Sequence, residues 1–395
     1  MKLVRIFANF SSSAVFVLLC LVALMAPIPS ASAAVPAQSP PAVEVVFVLD
    51  TTGSMGGLIA AAKEKIWSIA NTLASADPAP RIRMGLVGYR DRGDAYVTVA
   101  TPLTDDLDAV YAKLMQFQAA GGGDGPESVN QALHEAVTRM AWSDQEHRTY
   151  KVIFLVGDAP PHMDYRNDIR YPQTCRMAAQ QGIIINTIQC GSSQETTPVW
   201  RKISQLAEGE FFQVAQSGSA VRYETPYDKK IASLSRDLDD TRLYYGDAAH
   251  LEKMEARTKL ANKIYEAASP SAVAQRTVFN AQKAGARNFL GGQELIQAVE
   301  DGTIDPERIE KEQLPEDLRK MPPEKLKAYI DERIQKRKAL RRDITELSKK
   351  RQQYIETKVS EDKAAGTTSF DAKVYKCIQA QAAGVDIAYS GGPAY

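Results

Sequence analysis

Residues 43–55 read VEVVFVLDTTGSM. The first seven form an apolar run, interrupted only by Glu44, of the kind a strand buried on both faces requires. Asp50 ends the run, and Thr51, Thr52, Gly53 and Ser54 make a tight polar turn before helical periodicity begins near residue 57. A strand that closes on a polar turn and opens into a helix is the repeating unit of an α/β sheet. The alternation continues outward. Residues 81–87 and 96–100 read as strands around the polar turn 90–94, residues 107–118 and 128–140 as helices, and 150–156 as another buried strand. A helix over 167–180, a strand over 182–189, a helix over 197–207 and a last strand over 210–214 follow. The fold class this predicts is α/β, a doubly wound and mainly parallel sheet with one antiparallel edge strand supplied by the hairpin.

Strand signals stop near residue 227. Charged helical stretches follow, broken by Pro306, Pro315 and the pair Pro322-Pro323. The longest, about residues 324–358, carries Leu326, Ile330, Ile334, Leu340, Ile344 and Leu347 at intervals of three to six residues. The expectation is therefore an α/β domain over 43–225 and a mostly α-helical C-terminal region over 226–395, in keeping with domains of roughly 100 to 200 residues.

The chain has 395 residues, 48 basic against 48 acidic, with 44% of positions hydrophobic and 24% charged. That balance excludes a disordered tail, a collagen-like fibre and a polytopic membrane protein. It also removes the global basic field of a dedicated nucleic-acid binder. At the start, Lys2 and Arg5 precede an apolar run over 14–26, shorter than the roughly 20 residues that span a bilayer. Ala31-Ser32-Ala33 then supplies a small-residue exit, so residues 1–33 read as a secretory signal cleaved after Ala33, and Pro-rich 34–42 as a linker. The expected location is secreted, either periplasmic or extracellular. Three cysteines remain after cleavage. Cys175 early in a helix and Cys190 at the end of the next strand lie on one edge of such a sheet, where a disulfide and two unpaired thiols are both open readings.

The polar turn carries the chemistry. Ligands of open α/β sheets bind beyond the carboxyl ends of the strands. There Asp50, Thr52 and Ser54 offer one carboxylate and two hydroxyls, an oxygen-only set suited to a hard divalent cation such as Mg²⁺. The segment VVFVLDTTGSM resembles the opening of von Willebrand factor A domains and their metal-ion-dependent adhesion site, Asp-x-Ser-x-Ser, with Thr52 in place of the first serine. The resemblance also takes in Gly121-Gly122-Gly123-Asp124-Gly125-Pro126-Glu127 as a second loop and Asp158, in VIFLVGDAPPH, as a third. It implies that Thr52 and Ser54 hold Mg²⁺, or Mn²⁺ or Ca²⁺, through their hydroxyls, while Asp50 and Asp158 hold metal-bound waters. Adhesion receptors place a threonine in the second loop, where this chain offers Asp124, with Ser128 as the alternative.

Other signals are weaker. Arg92-Gly93-Asp94 is ordinary turn chemistry, although Asp91 and Asp94 border the metal-bearing edge. His162 follows Asp158 closely and is a rim residue rather than a ligand. No zinc-protease helix, phosphate-binding loop or dinucleotide fingerprint is present. Lys336-Arg337-Lys338 and Lys349-Lys350-Arg351 make the long helix basic, which admits association with envelope lipids or, more simply, a solvated face. The functional expectation is an exported, metal-dependent protein-interaction module whose partner offers an acidic side chain. The alternatives are a hydrolase using the same cation, for which His162 or a spare carboxylate is the only nearby base, and a purely structural envelope protein.

Overall fold

The computed structural model describes residues 40–123, 125–144, 148–216, 223–364 and 370–393. The signal at 1–33, the linker up to residue 39 and Asp124 lie outside the described residues. Six strands, β1 (Ala42–Asp50), β2 (Arg81–Tyr89), β3 (Thr98–Thr104), β4 (Thr149–Gly157), β5 (Ile183–Cys190) and β6 (Phe211–Val214), form one sheet in the order β3-β2-β1-β4-β5-β6. All pairs are parallel except β2–β3, the antiparallel edge. Between the strands run α1 (Gly56–Ala74), α2 (Leu107–Gln116), α3 (Val129–Thr138), α4 (Tyr171–Gln180) and α5 (Thr196–Leu206).

The pleat sorts the central strands onto two cores. Val45, Phe47, Leu49, Val152, Phe154 and Val156 pack on the α1–α2 side, whereas Val46, Val48, Ile153 and Leu155 pack on α3, α4 and α5. Every residue of β1 and β4 is buried. Glu44 is tolerated inside β1 because Arg83 Nε donates to its carboxylate at 3.0 Å and the Ser143 amide donates at 3.0 Å. Two elements differ from the sequence pattern. β3 starts at Thr98 because Tyr96 is held at the turn by a 2.7 Å hydrogen bond with Thr51. α4 starts at Tyr171, not 167, because the preceding residues wrap the sheet edge and the Tyr171 amide donates to Asn130 Oδ1 at 2.7 Å.

Parity along β5 also decides the cysteines. Ile183 and Ile185 face α4 and α5, so Ile188 and Cys190 face the opposite core, while Cys175 is buried on the α4 side. Of the two open readings the unpaired one holds: both thiols are free, buried and on opposite faces of the sheet. Burial pushes the Cys175 thiol up to about 12, which leaves it unreactive at neutral pH.

After β6 the chain is helical: α6 (Asp228–Asp239), α7 (Ala248–Ala267), α8 (Pro270–Ala281), α9 (Lys283–Leu290), α10 (Leu295–Glu300), α11 (Glu316–Arg319), α12 (Pro323–Ala364) and α13 (Phe370–Ala383). These helices do not stand apart. Residues from Pro40 onward make one compact unit, and Ile264, Phe279, Val374, Ile378 and Ala382 belong to the same core as α1 and α2. α13 lies on β4 and β5, where Gln381 accepts from Tyr150 Oη at 2.6 Å and exchanges amide hydrogen bonds with Asn186 at 3.0 and 2.8 Å. No helix among the described residues is both long and apolar enough to cross a membrane.

α12 has 42 residues, about 63 Å of helix. Its apolar stripe continues through two arginines from the basic clusters. Arg337 is fully buried, donating to both Glu294 oxygens at 2.8 Å, and Arg351 donates to Asp228 at 2.8 Å. A third buried arginine, Arg276 of α8, bonds both Asp108 oxygens at 2.6 Å and lies 3.3 Å from Asp239. Burial alone would raise the Asp108 carboxyl, but Arg276 outweighs it and holds the group below the usual range. That stabilisation is complete above the ordinary carboxylate range and is lost as pH falls through the depressed folded-state value. Arg276→Ala leaves two buried carboxylates facing each other, so urea denaturation at pH 7 should show a loss of about 3–5 kcal/mol.

Candidate metal-binding edge

β1 and β4 end side by side, with Leu49 opposite Val156, so Asp50 and Asp158 emerge at neighbouring strand ends. Asp50 is fully buried. Its Oδ1 accepts from the Thr52 amide at 2.9 Å and from Thr52 Oγ1 at 2.6 Å, and Thr52 Oγ1 lies 3.5 Å from Ser54 Oγ. Thr52 is buried and Ser54 is exposed, so the row of oxygens runs from the sheet interior to solvent. Asp50 Oδ2 is buried with no hydrogen-bond partner, as is Tyr89 Oη.

The electrostatics of this edge call for positive charge. Burial, with a smaller contribution from the Asp158 charge, lifts the Asp50 carboxyl to about 7 against the pull of the two Thr52 hydrogen bonds. The Tyr89 hydroxyl is raised well above its ordinary value, by burial first and then by the charges of Asp50, Asp158 and Glu127. Among the described residues no three His, Cys, Asp or Glu side chains converge as a ready-made ligand set. The edge instead mixes hydroxyls with carboxylates, a donor chemistry that fits Mg²⁺ or Ca²⁺.

Backbone hydrogen bonds draw the three loops together. The Gly53 amide donates to Gly121 O at 3.1 Å, and the Ala120 amide donates to Thr51 O at 3.1 Å. The Glu127 amide donates to Pro160 O at 2.9 Å, and the His162 amide returns a 3.1 Å bond to Glu127 O. Gly121 and Gly122 take φ of 80° and 78°, a region that suits glycine. They are fixed from the β2–β3 turn, where Asp94 Oδ2 accepts from the Gly122 amide at 3.0 Å and from the Asp91 amide at 3.1 Å. The Arg-Gly-Asp triplet is thus an internal brace, with Arg92 over the Tyr165 ring at 3.9 Å and paired to Asp168 at 2.5 Å.

The remaining expected residues divide into two groups. Asp158 Oδ2 accepts from Gln216 Nε2 at 2.6 Å, and Thr196 holds the Asp158 carbonyl at 2.8 Å. Ser128 is buried, but its hydroxyl donates to Asp91 Oδ1 at 2.8 Å. Asp91 also accepts from Tyr165 at 2.8 Å and lies 3.3 Å from His162 Nε2, while His162 Nδ1 lies 2.9 Å from Asp164. Ser128, Asp91 and His162 therefore form a rim network that holds the third loop. Glu127 is the residue the sequence reading passed over. It is buried, and a side chain added at Gly122 would meet Glu127 Oε1 at 3.2 Å and Thr52 at 3.4 Å. Its carboxylate thus shares a boundary with Thr52. No local sequence signal marks it: α3 opens only at Val129, and Glu127 is placed by its backbone bonds to Pro160 and His162.

Residues 44–225 match the family model of the von Willebrand factor A domain. The von Willebrand factor A domain-containing protein 7 of rat is 39% identical over 122 residues, 31% of this chain and 12% of that protein. Its human counterpart is 37% identical over the same length, again 31% and 12%. The match thus spans about an eighth of those relatives. Among solved structures, the SpRpn10 VWA domain is 12% identical, covering 45% of this chain and 89% of that one at a TM-score of 0.34. A likeness that low has no bearing on function.

Gly157 is the point where the edge is tightest. A Cβ there would lie 2.5 Å from Tyr89 Oη and 3.0 Å from Asp50 Cβ. Gly157→Ala should lower stability by about 1–3 kcal/mol, read from thermal melting, whereas Gly125→Ala, which meets nothing within 4 Å, should melt with the wild type.

Proposed function

We propose that the chain is an exported interaction module that binds a divalent cation, Mg²⁺ in the first instance, at the Asp50 edge and uses it to hold an acidic group of a partner protein. The observation that carries this is the buried, unpartnered Oδ2 of Asp50 beside two hydroxyls at the mouth of the sheet. Thr52 and Ser54 are the residues to hold the ion through hydroxyls, with Glu127 or Asp124 from the second loop and Asp50 and Asp158 behind them. A bound cation supplies a positive centre whose open position takes a carboxylate oxygen. Exposed Ser54 leaves that position facing solvent. Residues 1–33 are the address that directs export.

A hydrolytic reading has less support. Both ring nitrogens of His162 face carboxylates, Asp91 at 3.3 Å and Asp164 at 2.9 Å, so the imidazole is engaged as a brace rather than held ready as a base. Ser128 likewise donates to Asp91 rather than to the histidine.

Calorimetric titration of the full chain with MgCl₂ should give one saturable site that Ser54→Ala weakens by about 10–100-fold. Glu127→Gln should weaken it comparably, and Ser128→Ala should change it by less than about threefold, since that hydroxyl serves Asp91. No Mg²⁺ binding by the wild type would sink the metal reading. Capture from an envelope extract, run in Mg²⁺ and in EDTA, then tests the partner: a protein retained equally in both, and by Ser54→Ala, would mean the cation does not mediate recognition.

A further inference from the structure

A second charged site lies in the helical half, away from the strand ends. Arg341 of α12 is half-buried, and its Nε and Nη2 are closed off from solvent with no acceptor. The side chain lines a cleft of about 660 Å³ together with Lys283 and Arg287 of α9, Gln293, Gln297 and Thr303. Lys283 and Arg287 stand four residues apart on one exposed helix face and form no ion pair among the described residues. Two carboxylates, Glu294 and Asp301, line the same cleft, and Glu300 acts on Arg341 from nearby. Glu294 is held by Arg337 at 2.8 Å, Glu300 lies 3.3 Å from Lys338, and Asp301 accepts from Gln297 at 2.9 Å. Five cations (Lys283, Arg287, Arg337, Lys338 and Arg341) thus lie in or beside the cleft against three carboxylates.

We infer that this cleft is a binding site for a phosphate group, seated between Arg341, Lys283 and Arg287. Guanidinium charge is delocalised over the whole planar group, so an anion at its open edge compensates the two closed-off nitrogens as well. Two arginines and a lysine converging from separate helices match a multiply charged tetrahedral oxyanion better than a single carboxylate, which one arginine satisfies in a bidentate pair. The Gln293 side-chain amide lines the same cleft and is a neutral donor beside the three cations. Burial and the neighbouring Arg337 lower the Arg341 basicity, against the opposite pull of Glu300, Glu294 and Asp301.

The inference is independent of the metal edge, and its test keeps the two apart. The full chain is titrated calorimetrically with inorganic phosphate, at constant ionic strength and without divalent cations. It is also sedimented with vesicles of phosphatidic acid in phosphatidylcholine, against phosphatidylcholine alone. Saturable phosphate binding that weakens at least about tenfold in Arg341→Met and in the double variant Lys283→Ala/Arg287→Ala, but not in Asp50→Ala, supports the site. Sedimentation with phosphatidic acid alone, lost in the same variants, supports it with a lipid headgroup as the source of the phosphate. Arg341→Met removes an uncompensated charge and should melt no lower than the wild type, so its loss of binding reports the site and not the fold. Absence of both phosphate binding and vesicle binding, or equal binding by wild type and both variants, overturns the inference.

Discussion

A sheet whose central strands β1 and β4 are buried on both faces must be covered on both sides of them. On one face α3, α4 and α5 suffice, and they come from the connections between strands. On the other face only α1 and α2 are supplied that way, so Tyr150, Val152 and Phe154 of β4 would be left facing water. α13, more than 150 residues beyond the last strand, returns to cover them, and Gln381 satisfies the buried polar groups of Tyr150 and Asn186 in doing so. The helices between β6 and α13 then have little freedom to form a separate body. α8 packs on α1 through Phe279 against Trp67, and Arg276 ties it to α2 through Asp108.

Much of this was legible locally. The runs at 43–49 and 150–156 are apolar because both faces are covered, and the polar turn at Asp50 marks where cover ends. The closure by α13 was not legible, because nothing in residues 370–383 says which distant surface they meet. The choice between paired and unpaired cysteines was hidden for a more particular reason. Position along the sheet edge brings Cys175 and Cys190 level, but strand parity puts Cys190 on the other face, and a strand buried on both sides hides its parity.

The basic helix shows the opposite case, a signal present but outweighed by composition. Ile330, Ile334, Arg337, Leu340 and Ile344 follow one stripe at intervals of three and four, so Arg337 occupies a core position. Counting charges placed it in a basic surface cluster, whereas periodicity places it inside, with Glu294 as its counter-ion. Glu127 in the second loop was outweighed in the same way by its neighbours Asp124 and Ser128, which match the expected ligand types more closely. Burial beside Thr52 is what distinguishes it, and that depends on the Glu127–Pro160 backbone bond between two loops distant in sequence.

These two corrections change what the surface presents. With Arg337 and Arg351 buried on Glu294 and Asp228, and with Lys350 paired to Glu346 at 2.7 Å, the face of α12 has less free basic charge than its sequence suggests. A diffuse attraction to an anionic surface weakens accordingly, since only unpaired charge near that surface contributes. Arg341 lies one helical turn from Arg337 but has no Glu294 of its own, and it meets Lys283 and Arg287 across the cleft. The fold supplies a close acidic partner for Arg276, Arg337 and Arg351, whereas Nε and Nη2 of Arg341 are closed off with no acceptor. Recognition there rests on geometry rather than on net charge.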